Sequence, residues 1–149
     1  MNKNDLSSLI PIFTIIILVW IIITFKSSDA LILLFACSAS EILGNFLKIV
    51  IRQPRPISFG CGYKGYGMPS TCSLFAATVA SYLFLYLIIV FGSKQALLLA
   101  GAVVAAAILI AIDRVYLCYH TPAQVVVGLI LGTILGSSAF IVASKFNSV

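Results

Sequence analysis

Long apolar blocks alternate with short polar segments along the chain. A helix needs roughly 20 mostly apolar residues to cross the hydrocarbon core of a bilayer, and each block has about that length. The connection 52–69 is rich in Gly and Pro and is too short for another span. The pattern predicts one all-α integral membrane domain over 1–149, a bundle of about five transmembrane helices. The predicted spans are 9–25, 30–51, 70–91, 95–116 and 123–144.

The order of the spans places the polar features of the chain on one membrane face. The second span ends where loop 52–69 begins, and the fourth span returns to the same face at segment 114–120. We therefore expect a functional site at that face. The opposite face receives Lys26, Lys94 and Lys145. If the site cations are discounted as ligand-binding, only Lys3 and Lys64 remain on the site face. Because cytoplasmic loops carry an excess of Lys and Arg, the site should then face a lumen or periplasm, which in a eukaryote is the lumen of the endoplasmic reticulum.

Composition supports a membrane protein and narrows the kind of ligand. Of the residues, 62% are hydrophobic and 9% are charged, whereas soluble domains carry about 25% charged residues. The net charge of +5 has no soluble basic face to bear it, so nucleic-acid binding is not expected. Most of the cations lie around the two most polar interruptions, which indicates an anionic ligand. The four cysteines contain no C-x-x-C pair and give no disulfide or zinc-ribbon pattern.

The first polar cluster is the stretch KIVIRQPRP, which begins at Lys48. Arg55 follows seven residues later, between Pro54 and Pro56, and the prolines favour extended backbone there. A guanidinium held in this way suits bidentate contact with phosphate oxygens. The alternative is a pair of interfacial cations whose heads reach toward water.

The second cluster lies at the start of the third span. A helix that begins near Ser70 presents unpaired backbone N–H groups and the positive end of its dipole to the site face. The hydroxyls of Ser70 and Thr71 add further hydrogen-bond donors. The alternative for Ser70 is an ordinary helix N-cap.

The third cluster contains Arg114 and the one histidine of the chain, His120. Gln124 lies four residues after His120, so both share a face of the fifth helix if that helix begins near His120. The Gln124 carbonyl oxygen could then accept the imidazole N–H. The alternative is a structural histidine at the membrane interface.

Together, the three clusters have the composition of a phosphoryl-transfer site. Such a reaction needs charge neutralisation around the phosphoryl oxygens and an in-line nucleophile. The cations, the hydroxyls, the helix N-terminus and the imidazole supply both. A magnesium site is not expected, because the site segments contain no cluster of carboxylates.

These motifs resemble those of the phosphatidic acid phosphatase type 2 superfamily, whose pattern is K-x6-R-P, P-S-G-H and S-R-x5-H-x3-D. Lys48, Arg55 and Pro56 match the first element, Pro69 and Ser70 begin the second, and Arg114 and His120 match the third. The stretches YGMPS-x-x-S-x-F and RVYL-x-YHT-x-x-Q are similar to the dolichyl pyrophosphate phosphatase branch, in which Gln at the last position is usual.

The resemblance implies a role for each matched residue. His120 is expected to be the nucleophile that forms a phosphohistidine, and Gln124 to orient it in place of the commoner Asp. No metal or other cofactor is implied. The expected phosphate-binding residues are Lys48, Arg55, Ser70, Thr71 and Arg114. The implied reaction removes the terminal phosphate of a polyprenyl diphosphate, most simply dolichyl diphosphate, and so recycles the lipid carrier of glycosylation.

The main departure from the family pattern is Cys72, which stands where the pattern has the His that acts as general acid. A lipid alkoxide is a strongly basic leaving group and needs a proton. A polyprenyl monophosphate leaving from a diphosphate is weakly basic, with a second pKa near 6. A diphosphate substrate could therefore tolerate Cys72, and its thiol could donate the proton. Asp113 replaces the motif Ser and could pair with a site cation, although adjacent residues on a helix do not face each other.

Three alternatives stay open at this point. The first is a lipid-phosphate-binding homologue that keeps the cations and has lost catalysis, and the second is a lipid monophosphate phosphatase. The third is a metal site built from Cys61, Cys72, Cys118 and His120, whose spacing matches no zinc module. Glu41, on the helical stripe of Lys48, is interpreted as a structural partner for that lysine or for Asn45, or as a group that orients the cations.

Overall fold

The computed structural model describes residues 28–56 and 65–147, with side chains described up to 146. Within this part of the chain the long elements are four helices, α1 (Ser28–Ile51), α2 (Thr71–Tyr86), α3 (Lys94–Tyr116) and α4 (Pro122–Asn147). A π-helical turn, Leu87–Phe91, extends α2.

All four helices, with α2 counted through its π-helical turn, are long and apolar enough to span a membrane. Their bounds lie close to the four predicted spans that fall in the described residues. The predicted span 9–25 lies outside those residues, which leaves four described helices against about five predicted. The all-α membrane bundle predicted from the sequence is confirmed, and the chain is an integral membrane protein.

Polar residues define where three of the helices begin. The Ser70 hydroxyl accepts the backbone N–H of Ser73 at the start of α2, and Ser93 accepts that of Ala96 at the start of α3. At the start of α4, the Thr121 hydroxyl accepts the Gln124 N–H at 3.3 Å. The Gln124 side chain in turn accepts the Thr121 N–H at 3.2 Å. This reciprocal pair is a capping box.

The helices α2 and α4 pack closely because small residues of α4 face the α2 backbone. A Cβ built on Gly128 would lie 2.6 Å from the Ser70 carbonyl oxygen. Gly132 and Gly136 meet the next turns of α2 in the same way. These three residues form a glycine stripe, which holds the start of α4 beside the start of α2.

The outer faces of the bundle are apolar and exposed. Leu98 on α3 is 76% exposed, and Phe35 and Ile42 on α1 are each 71% exposed. Such side chains suit contact with lipid tails. The bundle interior contains α2, whose buried Tyr82 packs edge-on against Phe140 of α4 at a ring distance of 5.9 Å.

Candidate active site

The predicted clusters meet at one end of the bundle. This end is formed by the last turn of α1 with the segment after it, the first turn of α2, the end of α3 and the start of α4. Hydrogen bonds join these segments directly. The Ser70 N–H donates to the Gln124 carbonyl oxygen at 3.0 Å, and the Arg55 Nη1 donates to the Tyr119 carbonyl oxygen at 3.4 Å.

Lys48 and Arg55 both lie inside this end of the bundle. The Lys48 ammonium donates to the Thr71 hydroxyl at 3.1 Å, so it is tied to the start of α2. Arg55 is half-buried and reaches the segment between α3 and α4. The charges of both residues act on the imidazole of His120. The two cations therefore surround the site, which argues against two unrelated interfacial side chains.

The side chain of Ser70 is fully buried and serves as the N-cap of α2. Its hydroxyl oxygen also lies 3.0 Å from the Ser73 hydroxyl. The ordinary N-cap interpretation is thus correct for Ser70, and its predicted phosphate contact stays a prediction. The next two backbone N–H groups, of Thr71 and Cys72, belong to the first helical turn, where the helix itself supplies no carbonyl acceptor.

His120 is 4% exposed and is held through one ring nitrogen. Its Nδ1 lies 2.9 Å from the Gly67 carbonyl oxygen and 3.2 Å from the Gln124 Oε1. Both of these atoms are acceptors, so Nδ1 carries the proton in the neutral ring. The lone pair of the imidazole is then on Nε2, the nitrogen that a nucleophilic histidine needs.

The surroundings of His120 keep it neutral. Burial is the largest cause, and the positive charge of Arg55 adds to it, so the pKa of His120 is lowered to about 4. The hydrogen bonds to Gln124 and Gly67 oppose this shift, and the charge of Lys48 adds to it. At neutral pH the Nε2 lone pair is available.

The amide of Gln124 is fully buried and saturated with hydrogen bonds. Its Oε1 accepts from His120 and from the Thr121 N–H. Its Nε2 donates to the Pro54 carbonyl oxygen at 2.9 Å and to the Gln53 Oε1 at 3.2 Å. The predicted contact between Gln124 and His120 is therefore present, and the same glutamine also caps α4.

Two residues of this network were missed by sequence reasoning. Gln53 lies in loop 52–69 without any periodic pattern, and Gly67 takes part through its backbone carbonyl. The only sequence signal for these two residues was indirect. The Thr121–Gln124 capping box uses the side-chain oxygen of Gln124, so the amide protons of that buried side chain need acceptors elsewhere in the chain.

Arg114 is 6% exposed and lies in the last turn of α3, beside the site. Its guanidinium pairs with the neighbouring Asp113 carboxylate and lies 5.0 Å from the centre of the Tyr119 ring. The pairing of Asp113 with a site cation is therefore present, because the long Arg114 side chain reaches the carboxylate next to it. Its backbone carbonyl accepts the N–H groups of Tyr119 and His120, which shapes the turn before α4.

Cys72 lies in the first turn of α2 and is partly buried with a free thiol. It is near enough to Lys48 to interact with it electrostatically. Glu41 also acts on Lys48 through its charge, while its Oε1 is buried without a hydrogen-bond partner among the described residues. Cys61 lies outside those residues. Within them, no three His, Cys, Asp or Glu side chains are grouped so that they could hold a metal ion.

Comparison with known proteins agrees with this geometry. The sequence pattern of the PAP2 superfamily matches residues 29–148. The chain is 35% identical over 145 residues to a dolichyldiphosphatase of Saccharomyces cerevisiae, covering 91% of this chain and 60% of that protein. It is 35% identical over 146 residues to dolichyldiphosphatase 1 of Homo sapiens, and the match covers 90% of this chain and 61% of that protein. The chain thus spans about 60% of the length of these relatives.

A solved structure has the same fold. It is a transmembrane PAP2-type phosphatidylglycerolphosphate phosphatase from Bacillus subtilis, with a TM-score of 0.68 and 26% sequence identity. The similarity covers 97% of this chain and 71% of that one. The family model accounts for most of the chain, and the resemblance seen in the motifs is confirmed: the chain belongs to the PAP2 superfamily.

Proposed function

We propose that the chain hydrolyses the terminal phosphate of a polyprenyl diphosphate, with dolichyl diphosphate as the first candidate, through a phosphohistidine at His120. The observation that carries this proposal is the state of His120. Its Nδ1–H is held by two carbonyl-type acceptors, while the cations Lys48 and Arg55 act on the same ring. The names of the relatives support the choice of substrate.

In the first step, Nε2 of His120 attacks the terminal phosphorus. The N–P bond forms as the bond from phosphorus to the bridging oxygen breaks, and the polyprenyl monophosphate leaves with that electron pair. Lys48, Arg55 and the N–H groups at the start of α2 would neutralise the phosphoryl oxygens. The Ser70 and Thr71 hydroxyls and Arg114 would complete this contact set.

In the second step, water attacks the phosphorus of the phosphohistidine. The N–P bond breaks, its electron pair returns to Nε2, and inorganic phosphate is released with the proton passing to solvent or to a phosphate oxygen. Throughout both steps Nδ1–H stays bonded to Gly67 and Gln124, which keeps the reacting nitrogen pointed at the phosphoryl group.

The leaving group decides how much a general acid at position 72 matters. A positioned acid contributes about 10²–10⁴-fold. A monophosphate ester needs most of that help, whereas the departing monophosphate of a diphosphate needs little. The partly buried Cys72 thiol therefore favours diphosphate over monophosphate substrates. If the organism is eukaryotic, we place the site on the luminal side of the endoplasmic reticulum membrane.

Phosphate release from the purified chain tests the proposal, with dolichyl diphosphate and phosphatidic acid assayed in parallel, each with and without a chelator. We expect chelator-resistant release that is much faster from the diphosphate. A phosphate-labelled substrate should leave an acid-labile label on the protein, and His120→Ala should abolish both the label and the release. Full activity in His120→Ala would refute the assignment of the nucleophile.

The remaining alternatives give other outcomes in the same assay. Faster release from phosphatidic acid would indicate a monophosphatase. Loss of activity with chelator would support a metal site. Binding of the diphosphate without release, where a relative with an intact P-S-G-H motif is active, would indicate a lipid-phosphate-binding homologue.

A further inference from the structure

Gln53 lies just after α1 and is half-buried at the site end of the bundle. Its side chain and its backbone each accept one hydrogen bond. The side-chain Oε1 accepts from the Gln124 amide at 3.2 Å. The backbone carbonyl oxygen accepts the Gly67 N–H at 2.7 Å.

Both bonds lead to the same atom of His120. Gln124 and Gly67 are the two groups that accept the Nδ1–H, at 3.2 and 2.9 Å. One residue therefore supports both acceptors of the histidine proton, through its side chain on one path and its backbone on the other.

The side-chain path determines how the Gln124 amide is turned. In the orientation present, Oε1 meets the two donors of His120 and Thr121, and Nε2 meets the two acceptors of Pro54 and Gln53. The reversed amide would place N–H groups against N–H groups and oxygen against oxygen. Since the amide is fully buried, no solvent would relieve those mismatches.

We propose that Gln53 is a positioning residue for His120. Together with the Pro54 carbonyl oxygen and the Thr121 N–H, its side-chain oxygen fixes the Gln124 amide so that the imidazole proton stays on Nδ1 and the lone pair stays on Nε2. The use of that lone pair rests on the proposed function, whereas the position of the proton does not. A reversed Gln124 amide would present an N–H group to the Nδ1–H, so Gly67 would be the one acceptor left at Nδ1. The Nε2–H form, which lacks the nucleophilic lone pair, would then become more populated without a change of fold.

A purely structural role for position 53 would work through its backbone. The Gly67 N–H bond and the neighbouring bridge between Pro54 and Tyr66 use main-chain groups. A side-chain substitution leaves those groups in place. The acceptor on the side chain can therefore be tested separately, with Gln53→Met as a variant of similar size without the acceptor and Gln53→Glu as one that keeps it.

The proton position can be measured directly, because His120 is the one histidine of the chain. In protein labelled with ¹⁵N-histidine, the nitrogen shifts should report the Nδ1–H tautomer in the wild type and in Gln53→Glu. We expect Gln53→Met to raise the Nε2–H fraction several-fold. Gln95→Met, an exposed glutamine at the other end of the bundle, serves as the matched control and should leave the tautomer unchanged. An unchanged tautomer in Gln53→Met would overturn the proposal.

Kinetics provide the second measurement. We expect Gln53→Met to lower kcat for the diphosphate about three- to tenfold, the range for one net hydrogen bond, with KM changed less than about twofold. In a Gln124→Met background the same substitution should have no further effect, since Gln53 acts through Gln124. An equal, additive loss in that background, or an effect on KM alone, would overturn the proposal. Wild-type inactivity would count against the proposed function only, and the tautomer measurement would then decide for Gln53.

Discussion

Gly67→Ala tests how closely the catalytic arrangement depends on the contact between the loop and α4. A Cβ at this position would lie 2.5 Å from the Gln124 Oε1, 2.7 Å from its Nε2 and 2.8 Å from its Cδ. All three distances are far below van der Waals contact. The amide of Gln124 would have to move by roughly 0.5 Å or more, and its hydrogen bond to His120 would move with it.

The expected cost in rate follows from that displacement. A misplacement of about 1 Å in a catalytic group can cost about 100-fold. For Gly67→Ala we expect kcat for dolichyl diphosphate to fall about 10- to 100-fold, equivalent to about 1.4–2.7 kcal/mol in the barrier. The ¹⁵N signals of His120 should shift at the same time, because one of its acceptors has moved.

A matched control separates this effect from a general cost of alanine. Gly101 lies in α3, and a Cβ there would meet nothing within 4 Å. Gly101→Ala should keep full activity and raise stability by about 1 kcal/mol, because alanine is the better helix former. In a Gln124→Ala background, Gly67→Ala should cause little further loss, since the opposing amide is gone. Wild-type kcat in Gly67→Ala, or an undiminished effect without the Gln124 side chain, would refute the reasoning.

Three further predictions concern single side chains of the site. The NMR titration of His120 should have its midpoint near pH 4, and Arg55→Met should raise that midpoint because a cation that disfavours the imidazolium is removed. The unfolded chain protonates His120 near pH 6.5, whereas the folded chain does so only near pH 4. The free energy of unfolding should therefore decrease as the pH falls from 6.5 to 4. A constant free energy of unfolding across that range would contradict the lowered pKa of His120. Arg55→Lys should lower kcat/KM more than tenfold, over about 1.4 kcal/mol, because lysine lacks the bidentate fork; wild-type kinetics would make Arg55 an interfacial cation. Cys72→His should raise the ratio of monophosphate to diphosphate turnover, and an unchanged ratio with robust activity would show that position 72 does not supply the proton.

The sequence predicted the bundle because its signal is local and repeated. Each span carries its own apolar block, and the glycine stripe of α4 has a helical period that needs no knowledge of its partner. The proximity of Lys48 and Thr71 could also be predicted, because the order of the membrane spans places both residues at the same membrane face. The order of the spans and the length of the loop were sufficient for that step.

The hydrogen bonds that orient the histidine could not be read in this way. Gln53 and Gln124 are separated by 70 intervening positions, and neither periodicity nor helix spacing relates them. Gly67 contacts His120 through its backbone carbonyl oxygen. Every residue type has such an oxygen, so the sequence could not identify this contact. For Ser70 the sequence left two uses open, and the capping bond to Ser73 is decided by the local geometry of the first turn.

Two of the departures from the superfamily pattern, Gln124 and Cys72, fit one chemical logic. Gln124 binds the Nδ1–H with a neutral oxygen, so it fixes the proton without adding the negative charge that a carboxylate would bring. Burial is the largest cause of the lowered pKa of His120, and the positive charges of Arg55 and Lys48 add to it without a counter-charge from Gln124. A nucleophile of low basicity forms a phosphohistidine most readily when the group it displaces is also weakly basic. In the proposed reaction the diphosphate provides such a leaving group, and the same property removes the need for a strong acid at Cys72. The neutral orienting amide and the missing imidazole therefore both favour cleavage of an anhydride over cleavage of an ester.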